Sequence, residues 1–156
     1  MADFKKGKGR IKQGGTPARG IRTGGDPDSI MTESPSWAFY NCDASGGWSF
    51  CGERLGEEFW NTIFPKLQQF EAMSWGDILI KAKKQHHTIE AESLNKLARD
   101  RLSELHIEAE GVVSLRLGGT IRLYGFLTGA VYHIIWYDTN HGDNDSCVCR
   151  SNLKHT

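Results

Sequence analysis

Apolar and polar positions change rhythm along this chain. Toward the C-terminus, Val112 to Leu117, Ile121 to Leu127 and Ala130 to Tyr137 are rich in β-branched and aromatic residues. Gly118-Gly119-Thr120 and Thr128-Gly129 separate them, so the spacing predicts an antiparallel meander with tight turns. Upstream the period is helical: Leu55, Phe59 and Ile63 recur with Trp60 and Phe64 beside them. Pro65 cannot donate and clashes with the preceding turn, so it ends or kinks that helix. Ser74-Trp75-Gly76-Asp77 reads as a capped start for a short helix through Ile78, Leu79 and Ala82. Thr88 is the expected cap of another, with Leu94, Leu97, Ala98, Leu102 and Leu105 as its apolar stripe and Arg99, Asp100 and Glu104 on the wet side. Trp37 and Phe39, then Trp48 and Phe50, alternate with polar neighbours around the turn at 43–47, which suggests short extended segments whose rings pack at the domain edge. His86 and His87 fall in the linker between helices and are expected to be solvated. The order of elements predicts an α+β fold, with amphipathic helices packed on one face of a small antiparallel sheet.

Burial selects the register of the meander. A two-residue turn at Gly118-Gly119 would pair Leu115 with Arg122 and mix apolar with charged positions. A three-residue loop pairs Leu117 with Ile121 and Leu115 with Leu123, and keeps the apolar face whole. It also sets Arg116 opposite Arg122. In the second hairpin, a Thr128-Gly129 turn puts Leu123 opposite Ile134 and Tyr124 opposite His133. One face then carries Leu115, Leu117, Ile121, Leu123, Ile134 and Trp136. The other carries Ser114, Arg116, Arg122, Tyr124, His133 and Tyr137, with Phe126, Val131 and Ile135 among them. Opposed arginines repel. Their stems cover apolar neighbours on an exposed sheet face, or they pair with an acidic helix, or the pair is an anion site.

Composition places the chain in an ordinary class. It has 156 residues, 38% hydrophobic and 24% charged, with 19 bases against 19 acids, which suits one globular domain. The balance hides an asymmetry, because Lys5, Lys6, Lys8, Arg10, Lys12, Arg19 and Arg22 face only Asp3 in the first 25 residues. Residues 1–32 have almost nothing to bury and are expected to form a disordered basic arm, with residues 33–156 as a single α+β domain. The arm serves either as a solubility tail or, through Lys5, Lys6, Lys8, Arg10 and Lys12, as a nucleic-acid-binding element attracted to phosphate. A third reading makes Met31 the true start. No apolar core follows the basic residues, so no secretory signal is read and no run is long enough for a membrane helix. A cytosolic, reduced chain is the default, with Cys42, Cys51, Cys147 and Cys149 as free thiols. Their spacings, even with His141 nearby, match no common zinc knuckle, and no metal or cofactor is expected. The polar run 138–145 lacks the closing glutamate of a calcium loop and reads as a turn.

Ser114-Leu115-Arg116-Leu117, Arg122-Leu123-Tyr124-Gly125 and His133-Ile134-Ile135-Trp136-Tyr137-Asp138, ending in Asn140-His141, together resemble the sheet of RelE/ParE-like bacterial toxins. Trp37-Ala38-Phe39 and Ser74-Trp75 look like features of one ParE-like branch. The resemblance covers roughly residues 35–156. It implies a toxin of a type II toxin–antitoxin system with a cognate antitoxin, acting as a metal-free endoribonuclease on mRNA at the ribosome. The alternatives are a ParE-type inhibitor of DNA gyrase without nuclease activity and a non-toxic RNA-binding adaptor. For cleavage, Arg116 and Arg122 would grip the phosphate, His133 and Tyr124 would stand beside it for proton transfer, and Lys154 and His155 match the basic terminal residues of several such nucleases. The sheet carries no lysine pair of the kind some members use.

Overall fold

The computed structural model describes residues 27–142 and 147–149. Expectations for the arm lysines, for Asp143 to Asp145, and for Lys154 and His155 lie outside them. In chain order the elements are α1 (Pro27–Met31), β1 (Ser36–Ala38), α2 (Gly52–Leu55), a π turn (Phe59–Ile63), α3 (Phe64–Glu71), a second π turn (Asp77–Lys81), β2 (His87–Glu90), a 3-10 turn (Ala91–Ser93), α4 (Lys96–Glu104), β3 (Gly111–Gly118), β4 (Ile121–Thr128) and β5 (Val131–Asp138). The strands form one five-stranded sheet in the order β1-β5-β4-β3-β2. An α+β arrangement is therefore present, but the sheet is mixed, because β1 runs parallel to β5.

The sheet is covered on both faces, which corrects the expectation of a single helical layer. On one face Val113, Leu115, Leu117, Leu123, Tyr132, Ile134 and Tyr137 pack with Leu55, Ile63, Leu67, Phe70, Trp75 and Ile78. On the other, Val112, Tyr124, Ile135 and Trp136 pack with Leu94, Ala98 and Leu102 of the α4 region and with Val148. The cause is visible in β5, whose run of apolar residues has no wet side and so needs cover above and below.

The central register agrees with the burial argument at Leu115–Leu123 and Arg116–Arg122, but a bulge near Leu117 pairs Gly118, not Leu117, with Ile121. The second hairpin departs further. Phe126 faces His133, Gly125 faces Ile134 and Tyr124 faces Trp136, so Ile135 is bulged out of the ladder. One extra residue reverses the side-chain faces beyond it. Trp136 consequently joins α4, while Tyr137 turns to the opposite face and donates to Glu58 Oε2 at 2.7 Å. Gly125 is required beside this bulge, because a Cβ there would strike the His133 carbonyl oxygen and come within 2.9 Å of the Tyr132 ring.

Local signals fared unevenly. The Ser74 capping box is present: Asp77 N donates to Ser74 Oγ and Ser74 N donates to Asp77 Oδ2, both at 3.1 Å. Pro65 does not end its helix but sits in the first turn of α3, just after the π turn. The wider turn there suits a residue whose ring would clash with an α-helical carbonyl. Thr88 caps nothing, because His87–Glu90 pairs with β3 as an edge strand. Asn95 is the cap of α4, accepting from Leu97 N at 3.1 Å. His86 is buried rather than solvated, edge-on to Phe70 at 5.3 Å. At the N-terminal side Pro27–Met31 is one helical turn, and Ile30 and Met31 pack on the core, so this part of the stretch expected to be disordered is folded.

Asp43 fastens the layers together. Its carboxylate accepts from Arg101 Nε and Nη2 at 2.8 and 2.7 Å and from Trp136 Nε1 at 2.9 Å. Its own N–H donates to Ile135 O at 2.9 Å. Loop, helix and central sheet meet on one side chain.

Candidate functional site

The face that bears α4 is not covered to its end. Arg116, Arg122 and Asp138 lie in one cross-strand row there, and His87, Ser114, Tyr124 and Trp136 in the next. Side chains of directly opposed residues share a face, so the rows bring two guanidinium groups and an edge-strand imidazole together. Arg116 is exposed and makes no side-chain hydrogen bond among the described residues. Arg122 is half-buried, and its Nη1 donates to Gly119 O at 2.8 Å and to Ile121 O at 3.1 Å. Burial first, and then Arg116 beside it, lower the Arg122 pKa. The guanidinium is thus partly spent on the β3–β4 turn.

Asp138 completes that row but does not neutralise it. Fully buried, it accepts from Asn140 N and from Val148 N, both at 2.8 Å. Burial pushes its pKa up against those two bonds. Its work is to hold residues 138–142 and 147–149 against the sheet. Leu94 also bridges to Cys149, and Asn95 N donates to Val148 O at 2.9 Å. This anchored segment brings His141 over the sheet: its Nδ1 lies 3.5 Å from the Tyr124 hydroxyl and 3.4 Å from Cys149 Sγ. His141 N in turn donates to Thr120 O at 3.1 Å, tying the segment to the β3–β4 turn.

Two further histidines border the arginines. His86 Nδ1 accepts from Arg116 N at 3.0 Å, which fixes a neutral ring on the edge of β3. Burial, followed by Arg122, brings its pKa down to about 4. His87 is lowered too, by burial first and then by His141 and Arg122. An imidazole kept unprotonated at neutral pH can take a proton.

The residues singled out from sequence divide in three groups. Arg116 and Arg122 come together as expected. Tyr124 is on their face but fully buried, with its pKa raised by burial first, so it is poorly placed to exchange protons. His133 is not its cross-strand neighbour. It stacks on Phe126 at 4.6 Å, roughly 16 Å along β5 from Asp138 at about 3.3 Å per residue. Lys154, His155 and the arm residues Lys5, Lys6, Lys8, Arg10 and Lys12 fall outside the described residues. His87, His141 and Cys149 were missed as site residues. The Cys147-x-Cys149 spacing and His141 just past the last strand were the available signals.

Cys42 packs on the opposite face, so the four cysteines do not converge. No set of three or more His, Cys, Asp or Glu side chains is arranged to hold a metal among the described residues. A dent of about 450 Å3 lies elsewhere, between the loop at 43–48 and α4, lined by Asp43, Trp48, Leu97, Asp100, Arg101 and Glu104. Its arginine is already paired, and it offers no reactive group. No helix among the described residues is long and apolar enough to cross a membrane. Compared with family models, curated proteins and solved structures, the chain matches none of them.

Proposed function

We propose that this chain is the toxin of a type II toxin–antitoxin system and cuts messenger RNA on the ribosome, in the cytoplasm, by acid–base chemistry at the Arg116–Arg122 end of the sheet. The observation that carries the reading is the opposed arginine pair on the exposed end of that face, with His87 and His141 beside it. The meander with helices over one face accords with the resemblance to RelE/ParE-like toxins, whereas α4 and the parallel β1 are additions to that pattern.

Cleavage of RNA by its own 2′-hydroxyl needs a base for that hydroxyl, cations at the phosphate and an acid for the departing 5′-oxygen. Arg116 is unspent and can offer its planar fork to a phosphate, and Arg122 adds charge and the donors it does not give to the turn. His87 is the base, its ring neutral at pH 7 for the reasons above. His141 supplies the second ring nitrogen, held against Tyr124 and Cys149. His133 leaves the proposed set because of its position.

Purified protein incubated with programmed ribosomes and mRNA should yield fragments, and Arg116→Ala together with Arg122→Ala should abolish them. Intact mRNA in that assay overturns the reading. Growth arrest on induction with mRNA intact would point to inhibition of DNA gyrase, and RNA binding without cleavage or arrest to an adaptor. A small protein that relieves the arrest by binding is the expected antitoxin.

A further inference from the structure

Cys147 and Cys149 stand apart from the other two cysteines. Their sulfurs are 3.9 Å apart, and Cys149 Sγ is also 3.4 Å from His141 Nδ1. Cys147 is buried and Cys149 half-buried. Cys42 and Cys51 have no thiol partner among the described residues, and the polar contact of Cys51 is Ser49 Oγ at 3.5 Å. The segment that carries the pair is pinned from three sides, by Asp138, Asn95 and Leu94. Geometry of this kind is prepared before any reagent arrives.

We propose that Cys147 and Cys149 form a peroxide-reactive site in which Cys149 is the attacking thiolate and Cys147 the resolving thiol. The hydrogen bond from Cys147 first, and that from His141 next, lower the Cys149 pKa, while Cys147 is raised by the same bond and by burial. Geometry sets the roles: Cys149 is the more accessible sulfur and has His141 Nδ1 at 3.4 Å to take its proton, whereas the buried Cys147 thiol donates to Cys149 O at 2.6 Å. The Cys149 thiolate attacks one oxygen of hydrogen peroxide or an alkyl hydroperoxide. The O–O bond breaks, an S–O bond forms, and the other oxygen leaves as hydroxide or alkoxide and picks up a proton from solvent. Cys147 then attacks the Cys149 sulfur of the sulfenic acid, the S–O bond breaks, and the hydroxyl leaves as water with the Cys147 proton. Two thiols and one peroxide give one disulfide and two molecules of water, or one of water and one of alcohol.

Closing the bond needs the sulfurs to move from 3.9 Å to about 2.05 Å. The ring spans a single intervening residue, so it constrains the unfolded chain little and carries strain. Such a bond is readily reduced by a dithiol. The site is thus reversible, and a sulfur drawn toward Cys147 leaves His141. The thiol chemistry stands whether or not the neighbouring arginines act on RNA.

The test is mass spectrometry of the full chain treated with an equimolar amount of hydrogen peroxide. We expect a disulfide confined to Cys147 and Cys149, reversed by dithiothreitol. In Cys147→Ser, dimedone should trap a sulfenic acid at Cys149. In wild type, iodoacetamide at neutral pH should label Cys149 about tenfold or more faster than Cys42, from its larger thiolate fraction offset by lower intrinsic nucleophilicity. Labelling of Cys149 no faster than Cys42, oxidation that begins at Cys51, or a disulfide between other cysteines or between chains would each overturn the proposal. The wild-type measurements need no variant, so a variant that fails to fold does not blunt the test.

Discussion

Replacing Asp43 by Asn keeps the shape of the side chain and removes its charge. The amide has one oxygen and one NH2 group, so one of the two Arg101 donors must face a donor. Each charge-assisted bond to Arg101 contributes about 1.5–3 kcal/mol. Removing one partner of a buried ion pair runs to about 3–5 kcal/mol. The Arg101 side chain is 28% exposed and keeps Glu104 at 2.8 Å, so its stranded charge can be rehydrated. That discount leaves a loss of about 2–4 kcal/mol, or roughly 10 °C in Tm for a domain of this size. Urea denaturation followed by tryptophan fluorescence measures it, since Trp136 donates to the same carboxylate. The pH dependence gives a second readout. Burial raises the Asp43 pKa, but the bonds from Arg101 and Trp136 outweigh it and the net shift is downward. A folded pKa below the unfolded one contributes stability that is whole above the unfolded value, near 3.8, and is lost as pH falls through the folded one. Wild type should therefore approach the Asn variant as pH drops below about 4. A difference under about 1 kcal/mol at neutral pH, or one that is unchanged in acid, refutes the assignment of Asp43 as the fastening between layers.

Arg122→Ala should lower RNA cleavage by about 100-fold or more and stability by only about 1 kcal/mol, the share of its bonds to the turn carbonyls; equal loss of folding and activity in parallel assays would make Arg122 a turn residue only. His87→Gln should remove the acidic limb of the kcat/KM profile, which in wild type lies below pH 6.5 because the ring's pKa is depressed; an unchanged limb in the variant assigns the base elsewhere. Gly125→Ala should destabilise by about 2 kcal/mol or more through overpacking against the His133 carbonyl, and a denaturation midpoint equal to wild type would mean the bulge can shift.

The parts of the molecule legible in its sequence are those set by neighbours a few positions apart. The Ser74–Asp77 box is such a feature. So are the Leu115–Leu123 and Arg116–Arg122 pairs, because alternation in β3 and β4 distinguishes a wet position from a dry one. Alternation fails at Ile134-Ile135-Trp136-Tyr137, where every position is apolar. A one-residue bulge leaves no mark there, and it moved Tyr124 opposite Trp136 and His133 opposite Phe126. His87–Glu90 is short, lies at the sheet edge and contains a threonine at its second position, so it read as a helix cap. The site suffered most. His87, Arg122, His141 and Cys149 come from an edge strand, a central strand, a turn and the segment beyond it, and only the pairing of those elements in space assembles them.

Asp43 and Trp136 are 93 positions apart in the chain, and Ser36–Ala38 pairs with Val131–His133. For a chain made from its N-terminus on a ribosome, β1 and the loop that follows it emerge with nothing to dock on. The hairpins of β3, β4 and β5 close across tight turns, and loop-closure entropy favours such local pairs over distant ones. Trp48 therefore lacks Trp136, and Trp37 lacks Tyr132, until β5 has been made. Their apolar surface is a place where a nascent chain would call on a chaperone, and a ribosome stalled before Val131 would hold a chain with no β5 for its first strand to join.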